Sequence, residues 1–413
     1  MAGSTSRPLE DEPPQYRPVK FFKLENGRLA VDSTVDSTAA SGSTITTTSD
    51  LLPLLDFSSV KSAEISSTLQ RLSEVLVYHS RLQLTADGVV TRYQILEAEF
   101  YLRDSECHWD PFAHGEAEQE VPGRWYFHRA PRRIHSLATD APLPRKPPAG
   151  YRGGTRKGLD LTSGGSFTTN DSQNGLAVDK HPVTGGILLR TLQRESDGKV
   201  ISGPSLLVDE VIARSGASDL KDLVESKWAG DSSAFPFSAP GVKTRVTSLF
   251  IVPHTPPHVG VLPELFTSPR IGLDLSNASD SAARLEMVDK PYRFFIQPHL
   301  LTANGRAHTF FGIFRAKKVT AKPPYTDLVS TIALLTGLSE SATRRYIQFY
   351  LEGQDTQVEA YVGTKGKGVS GSSEKMLKML GALEKRREDR ALTEESTEQT
   401  GVGRRMALST SLQ

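Results

Sequence analysis

Two carboxylates interrupt an otherwise apolar strand pattern in the segment Ile95-Leu96-Glu97-Ala98-Glu99-Phe100-Tyr101. Side chains alternate between the two faces of a β-strand, so Ile95, Glu97, Glu99 and Tyr101 are predicted to share one face. Because buried charge is costly, that face belongs either to a wet edge strand or to a pocket where a carboxylate activates water beside a flat ring. Judged on this segment alone, the edge strand is the commoner arrangement.

Composition narrows the class of protein. Among 413 residues, Lys and Arg number 49 and Asp and Glu 48, so bulk charge alone cannot hold the chain to nucleic acid. One cysteine, Cys107, excludes a disulfide scaffold and a Cys-rich zinc site. No run of about 18 apolar residues and no apolar leader are present, which predicts an intracellular protein without a membrane partner.

Four regions are predicted along the chain. Residues 1–50 are rich in Ser and Thr and are expected to be disordered, and a globular domain follows over 51–300. A C-terminal helical extension is predicted over 301–362. Residues 363–413 are expected to form a charged low-complexity tail with one helix near its start.

The globular region alternates helices and short strands. Apolar spacing predicts a helix over Ser62–His79, and a turn at Ala86-Asp87-Gly88 predicts strands at Arg81–Leu84 and Val89–Leu96. The sequence has no glycine-rich turn between a strand and a helix, so a Rossmann sheet is not expected. The remaining predicted elements are strands at Gly186–Leu192, Thr247–Val252, Arg270–Leu275 and Tyr292–Ile296 and helices at Gly203–Gly216 and Ser218–Glu225.

Short blocks follow the two carboxylates in a fixed order. They are Asp110-Pro-Phe-Ala-His, Pro122-Gly-Arg-Trp-Tyr-Phe-His, Gly158-Leu-Asp-Leu-Thr, Gly186-Ile-Leu-Leu-Arg, Ser202-Gly-Pro-Ser-Leu, Ser268-Pro-Arg-Ile-Gly and Lys290-Pro-Tyr-Arg-Phe-Phe. Each block is weak alone, but the ordered series, from about Leu69 to Ile296, resembles the alkyladenine (3-methyladenine) DNA glycosylase family. The resemblance implies one compact α+β domain with a curved antiparallel sheet and surrounding helices, followed here by C-terminal helices.

The resemblance also implies two catalytic residues. Glu99 matches the second Glu of the family's Glu-x-Glu-x-Tyr motif, where it positions and activates water against the anomeric carbon of the sugar. Arg190 matches the Arg of the Leu-Leu-Arg strand, which helps to hold that water. Such chemistry requires neither a metal nor another cofactor, and a monofunctional enzyme needs no catalytic lysine.

The same resemblance predicts which residues contact the extruded nucleobase. Tyr101 corresponds to the tyrosine that stacks on the extruded base, and His114 would form a hydrogen bond near the flipped nucleotide. His128 takes the place of a second stacking tyrosine, beside Tyr126. Asp160 replaces an Asn that narrows the family's pocket, and this departure bears on the choice of lesion.

A basic stretch is the candidate surface for the DNA backbone. Residues 121–160 carry a net charge of +7 with interleaved aromatic residues, which suits phosphate contact, although they also neutralise residues 97–120 with their charge of −7. The family's wedge tyrosine aligns near Gly153, where only the neighbouring Tyr151 can substitute. The predicted nucleic-acid contacts are Arg124, Tyr151, Arg152, Arg156 and Lys157.

Two other patterns leave alternatives open. In Ser330–Ile347, Ala333 stands four residues before Gly337 and a helix with Arg344-Arg345 follows, which fits a helix-turn-helix. A plain helical hairpin packed on the core is the commoner arrangement. The run Lys385-Arg386-Arg387 fits a nuclear localisation signal, and it fits a solvated helix face more often.

These observations predict a monofunctional DNA glycosylase of base excision repair. It would flip an alkylated purine out of damaged duplex or single-stranded DNA and hydrolyse the N-glycosidic bond with carboxylate-activated water. We expect it to act in the nucleus, as a monomer. Two alternatives stay open: a nucleic-acid-binding protein on the same fold that has lost catalysis, and a glycosidase for nucleosides or RNA.

Overall fold

The hairpin predicted around Asp87-Gly88 begins the sheet. The computed structural model describes residues 51–128, 158–165, 182–236, 245–256, 261–277, 281–318 and 326–410. In it, β1 (Ser80–Ala86) pairs antiparallel with β2 (Val89–Arg103), and Asp87 and Gly88 have φ values of 49° and 77°. Two-residue hairpin turns require such positive φ angles. The Ser/Thr-rich region 1–50 lies outside the described residues.

Seven further strands within the described residues extend the hairpin. They are β3 (Trp125–Phe127), β4 (Leu159–Thr162), β5 (Thr184–Arg194), β6 (Val200–Ser202), β7 (Thr247–Pro253), β8 (Phe266–Ser268) and β9 (Arg293–Phe295). The main order is β3-β4-β5-β2-β1-β7, with β6 beside β5 and β9 between β2 and β8. This antiparallel sheet curls into a half-barrel, so the predicted α+β fold is confirmed.

Helices cover the sheet and build a second core. They are α1 (Ile65–Tyr78), α2 (Pro204–Arg214), α3 (Ser281–Met287), α4 (Arg306–Lys318), α5 (Thr326–Thr336), α6 (Glu340–Gln354) and α7 (Ser373–Thr410), and a π-helical turn spans Asp222–Lys227. Helices α1 and α2 pack on one apolar cluster together with β1, β2 and β5. The second cluster joins Phe266 and Phe295 of the sheet to α4, α5, α6 and the start of α7.

The second cluster includes residues of both predicted C-terminal regions. Met376 and Leu380, from the expected charged tail, are buried beside Phe311 of the expected helical extension. The proposed boundaries at residues 300 and 362 stay predictions. Each member of the Lys385-Arg386-Arg387 run is paired with an acidic side chain. No helix in the described ranges is long and apolar enough to cross a bilayer.

The helix over Ser62–His79 and most predicted strands are confirmed within a few residues, but one strand is wrong. Arg270–Leu275 forms a turn and extended loop instead of a strand. The guanidinium of Arg270 is fully buried and donates to Asp110 at 2.5 and 3.2 Å. A buried charge needs such a partner. The backbone N–H of Ile271 donates to the Glu99 carboxylate and Gly272 turns the chain with a φ of 85°, so this segment does not pair as a strand.

A pair of bulges changes the alternation of β2 beside the two carboxylates. Its pairing with β5 shifts register on both sides of Glu97. Before the shift Tyr93 and Ile95 join the first apolar cluster, and after it Ala98 and Phe100 do so. Ile95 therefore lies on the face opposite Glu99. The prediction that they share a face is wrong because the first bulge inserts one extra residue into β2 between Ile95 and Glu97, whereas the second lies in β5.

Candidate active site

A row of directly paired residues crosses five neighbouring strands. Tyr126 on β3 pairs with Asp160 on β4, Asp160 with Leu188 on β5, Leu188 with Glu99 on β2, and Glu99 with Arg293 on β9. Directly paired residues project to the same face of a sheet. One strand separates β4 from β2, so the backbones at Asp160 and Glu99 lie about 10 Å apart.

Glu99 is fully buried and accepts three hydrogen bonds. Its Oε1 accepts from the backbone N–H of Ile271 at 2.7 Å, and its Oε2 accepts from the Tyr101 hydroxyl at 3.0 Å and from Arg190 Nη1 at 3.3 Å. Three donors suit an ionised carboxylate, which only accepts and offers about four positions. Within the described residues, the Ile271 N–H is the one donor to Oε1, so this oxygen can also accept from a water molecule.

Two arginines neutralise the neighbouring Glu97. Arg190 Nε donates to its Oε1 at 3.1 Å and Arg293 Nε at 2.6 Å, while the Thr191 hydroxyl donates to Oε2. Burial alone would raise the pKa of Glu97, but Arg293 and Arg190 hold it below its usual value. Burial would lower the pKa of Arg190, but Glu99 and Glu97 raise it. Arg190 thus bridges both carboxylates as a permanent cation.

Tyr101 lies between Glu99 and a third buried arginine. The guanidinium of Arg270 is 4.5 Å from the centre of the Tyr101 ring and is neutralised by Asp110. Burial and the nearby Glu99 raise the pKa of Tyr101 well above its usual value, so the phenol stays protonated and donates to Glu99. One face of this ring is therefore covered by a cation.

The other residues predicted to contact the nucleobase form a second group on the same face of the sheet. His128 Nε2 lies 2.8 Å from Asp160 Oδ1, and His114 Nδ1 lies 3.4 Å from the Tyr126 hydroxyl. The rings of His114 and His128 are 4.8 Å apart. Burial acts to lower the pKa of His128, but Asp160 raises it above the usual value, so the pair favours imidazolium and carboxylate.

Of the five residues predicted to contact the DNA backbone, the structure describes Arg124. Arg124 is exposed at the start of β3, where its backbone N–H donates to Thr162 Oγ1 at 2.8 Å. Tyr151, Arg152, Arg156 and Lys157 lie outside the described residues. Within the described part of the chain, no three His, Cys, Asp or Glu side chains lie close enough together to hold a metal ion.

Sequence reasoning assigned no role to Glu97, Asp110, Arg270 or Arg293. Arg270 and Arg293 each occur in a short apolar block, and Arg293 is only 1% exposed. Arginine is almost never buried without a partner, so a charged residue inside such blocks was the available signal. The identity of the partners was not readable, because Arg270 and Asp110 are 160 residues apart.

Comparison with known proteins adds one relative and no family. No protein-family model matches the chain. The chain is similar to the uncharacterized protein L759 of Acanthamoeba polyphaga mimivirus, with 25% identity over 221 residues, which are 52% of this chain and 81% of the viral protein. This similarity assigns no activity, and the chemistry has to be inferred from the site itself.

Proposed function

We propose that the chain is a monofunctional DNA glycosylase of the alkyladenine type, acting in base excision repair. The observation that carries this proposal is the arrangement around Glu99. Its carboxylate is held by Tyr101 from its own strand, by Arg190 from β5 and by Ile271 after β8. Three blocks of the family resemblance, far apart in the sequence, therefore meet at the residue that the resemblance assigns as general base.

Glu99 would aim one water molecule at the anomeric carbon of the sugar. The water oxygen bonds to that carbon, the bond from the carbon to the base breaks, and the base leaves with the bonding electrons. Glu99 accepts the proton of the water, and its negative charge stabilises the developing oxocarbenium ion. An alkylated purine that already carries a positive charge leaves as a neutral base, so no separate general acid is required.

The two groups on this face would hold the extruded base between them. Tyr101 offers a ring, and Tyr126 with the two histidines offers others on the far side of β5. Stacking on aromatic rings holds unpaired bases in nucleic-acid-binding proteins. The negative charge of Asp160 beside this space favours a cationic base over a neutral one, although His128 balances part of that charge.

The test is release of free base from alkylated duplex DNA. Glu99→Gln keeps the size of the side chain and removes the base function, so release is expected to fall at least about 100-fold while DNA binding is kept. Glu106→Gln is the matched control, because Glu106 is exposed and takes no part in the site. We expect this control to release base at the natural rate.

Two other outcomes contradict the proposal. DNA binding without base release from any alkylated duplex or single strand would indicate a nucleic-acid-binding protein that has lost catalysis. Cleavage of free nucleosides or RNA with no release from DNA would indicate the other glycosidase activity. In the second case, loss of nucleoside or RNA cleavage in Glu99→Gln would show that the carboxylate is used.

A further inference from the structure

Three consecutive helices, α4, α5 and α6, form a bundle in which every pair is in contact. Only residues 337–339 connect α5 to α6, and Gly337 at the start of this turn has a φ of 69°. Ser339 caps α6 by accepting a hydrogen bond from the N–H of Ala342. A three-helix bundle whose last two helices are joined by a three-residue turn with a glycine has the connectivity of a helix-turn-helix.

The inward faces of these helices are well packed. Ile332 in α5 and Thr343 in α6 have no exposed surface, and Ala333 stands four residues before the turn glycine. Two turns further along the same face of α6, the Tyr350 ring lies 5.2 Å from Phe314 of α4. One face of α6 is therefore packed along its length, and Ser341, Arg344, Arg345 and Gln348 are exposed on the other.

The outward face of α6 is polar and exposed over its first turns. Arg344 Nη2 forms an ion pair with Glu340 Oε2 at 3.3 Å. Arg345 has no acidic partner within the described part of the chain. Hydroxyl, guanidinium and carboxamide groups thus follow one another at helical spacing on this face: Ser341, Arg344, Arg345 and Gln348.

We propose that α6 is a recognition helix that lies in the major groove of B-form DNA. Arg and Gln form bidentate hydrogen bonds with guanine and adenine edges in that groove, and Ser binds either bases or phosphates. The groove is about 12 Å wide, which admits one α-helix with its side chains. In helix-turn-helix proteins the N-terminal residues of the second helix make these contacts, as the exposed residues of α6 are placed to do.

The turn is also connected to the candidate active site. A Cβ at Gly337 would lie 3.7 Å from the side chain of His299, which follows β9. Further along the same loop, the N–H of Ala303 donates to Ser202 at 3.1 Å, and Ser202 lies 3.4 Å from the hydroxyl of Thr191. On the proposed function, α6 would anchor the duplex beside the candidate site.

The test measures binding of an undamaged mixed-sequence DNA duplex and an RNA duplex by fluorescence anisotropy across a salt series. The variant is Arg344→Ala with Arg345→Ala, and the matched control is Lys61→Ala with Arg71→Ala, which removes the same charge from exposed positions at and near α1. The first variant is expected to bind DNA at least about tenfold more weakly, with a salt slope reduced by about 1 to 2. Its RNA binding should equal that of the control, because the A-form major groove excludes a helix.

Three results would overturn the proposal. Equal losses in both variants would show a nonspecific charge effect, and an equal loss on RNA would exclude the major groove. A natural chain that does not bind DNA would assign the surface to a protein partner, which the exposed Leu334 and Leu351 could contact. Undamaged DNA is used, so these results are independent of base release, and a failure of the Glu99 proposal leaves them readable.

Discussion

Arg293 donates its Nε–H to Glu97 across 2.6 Å, although the two residues are 196 positions apart in the chain. They are 1% and 3% exposed. The other two nitrogens of Arg293 donate to Ser268 and Thr309 at 2.9 Å each. This one guanidinium thereby ties β2 and β8 to α4, beside the carboxylate of the candidate site.

Removing Arg293 should be strongly destabilising. Arg293→Met leaves Glu97 buried with one cation fewer, and we expect the free energy of unfolding to fall by about 3–5 kcal/mol. Urea denaturation followed by circular dichroism measures this loss. Glu97→Gln combined with Arg293→Met should recover part of it, because no unpaired charge then remains.

Lys317→Met provides the comparison for this pair. It removes a pair with Glu264, which is half exposed, and is expected to cost at most about 1 kcal/mol. Equal losses for Arg293→Met and Lys317→Met would contradict a special role for burial at Glu97.

Local patterns predicted the elements of this fold better than their contacts. The hairpin and α1 followed from alternation, turn residues and apolar spacing, which act over a few residues. The face of Ile95 was wrong because a bulge depends on the partner strand, which β2 alone does not reveal. Glu99 and Arg190 were placed together by the ordered blocks, whereas the Glu97–Arg293 pair depends on tertiary packing that no local pattern encodes.

Two substitutions at Tyr101 separate its hydroxyl from its ring. Tyr101→Phe removes the hydrogen bond to Glu99 and should lower the rate of base release about tenfold with little change in Kd. Tyr101→Leu removes the ring and should weaken binding of the damaged duplex by about 1–3 kcal/mol. Single-turnover base release and anisotropy measure the two effects, and identical behaviour of both variants would contradict the proposed stacking.

His308 should make the protein sensitive to acid. Burial, followed by the charges of Arg293 and Arg190, lowers the pKa of His308 from 6.5 to about 3, and its Nδ1 has no hydrogen-bond partner among the described residues. Below pH 6.5 the unfolded chain binds a proton there that the folded chain does not. Stability is therefore lost as the pH falls from 6.5 towards 3, with a slope of up to about 1.4 kcal/mol per pH unit.

His308→Gln removes that proton uptake. The pH profile of the unfolding free energy, measured by urea denaturation between pH 7 and 4, should be flatter in this variant than in the natural chain. His299→Gln, at an exposed position, should leave the profile unchanged. A profile that keeps its slope in His308→Gln would rule out His308 as its source.

Glycines allow α6 and α7 to touch along their backbones. A Cβ at Gly353 would lie 2.1 Å from the carbonyl oxygen of Lys378, and a Cβ at Gly381 would lie 2.1 Å from that of Tyr350. Alanine normally favours a helix over glycine by about 1 kcal/mol. Here the added methyl group would push α7 away from the second apolar cluster, so Gly353→Ala should instead destabilise the fold by about 1–3 kcal/mol.

Thermal unfolding shows whether Gly353→Ala stabilises or destabilises the fold. Gly371→Ala is the control, because a Cβ there would meet nothing closer than 3.8 Å, and it should leave the melting temperature unchanged or slightly raised. A Gly353→Ala variant as stable as this control would mean that α7 does not press against α6. Because α6 carries the proposed DNA-binding face, a destabilised Gly353→Ala variant should also bind duplex DNA more weakly although no arginine has been changed.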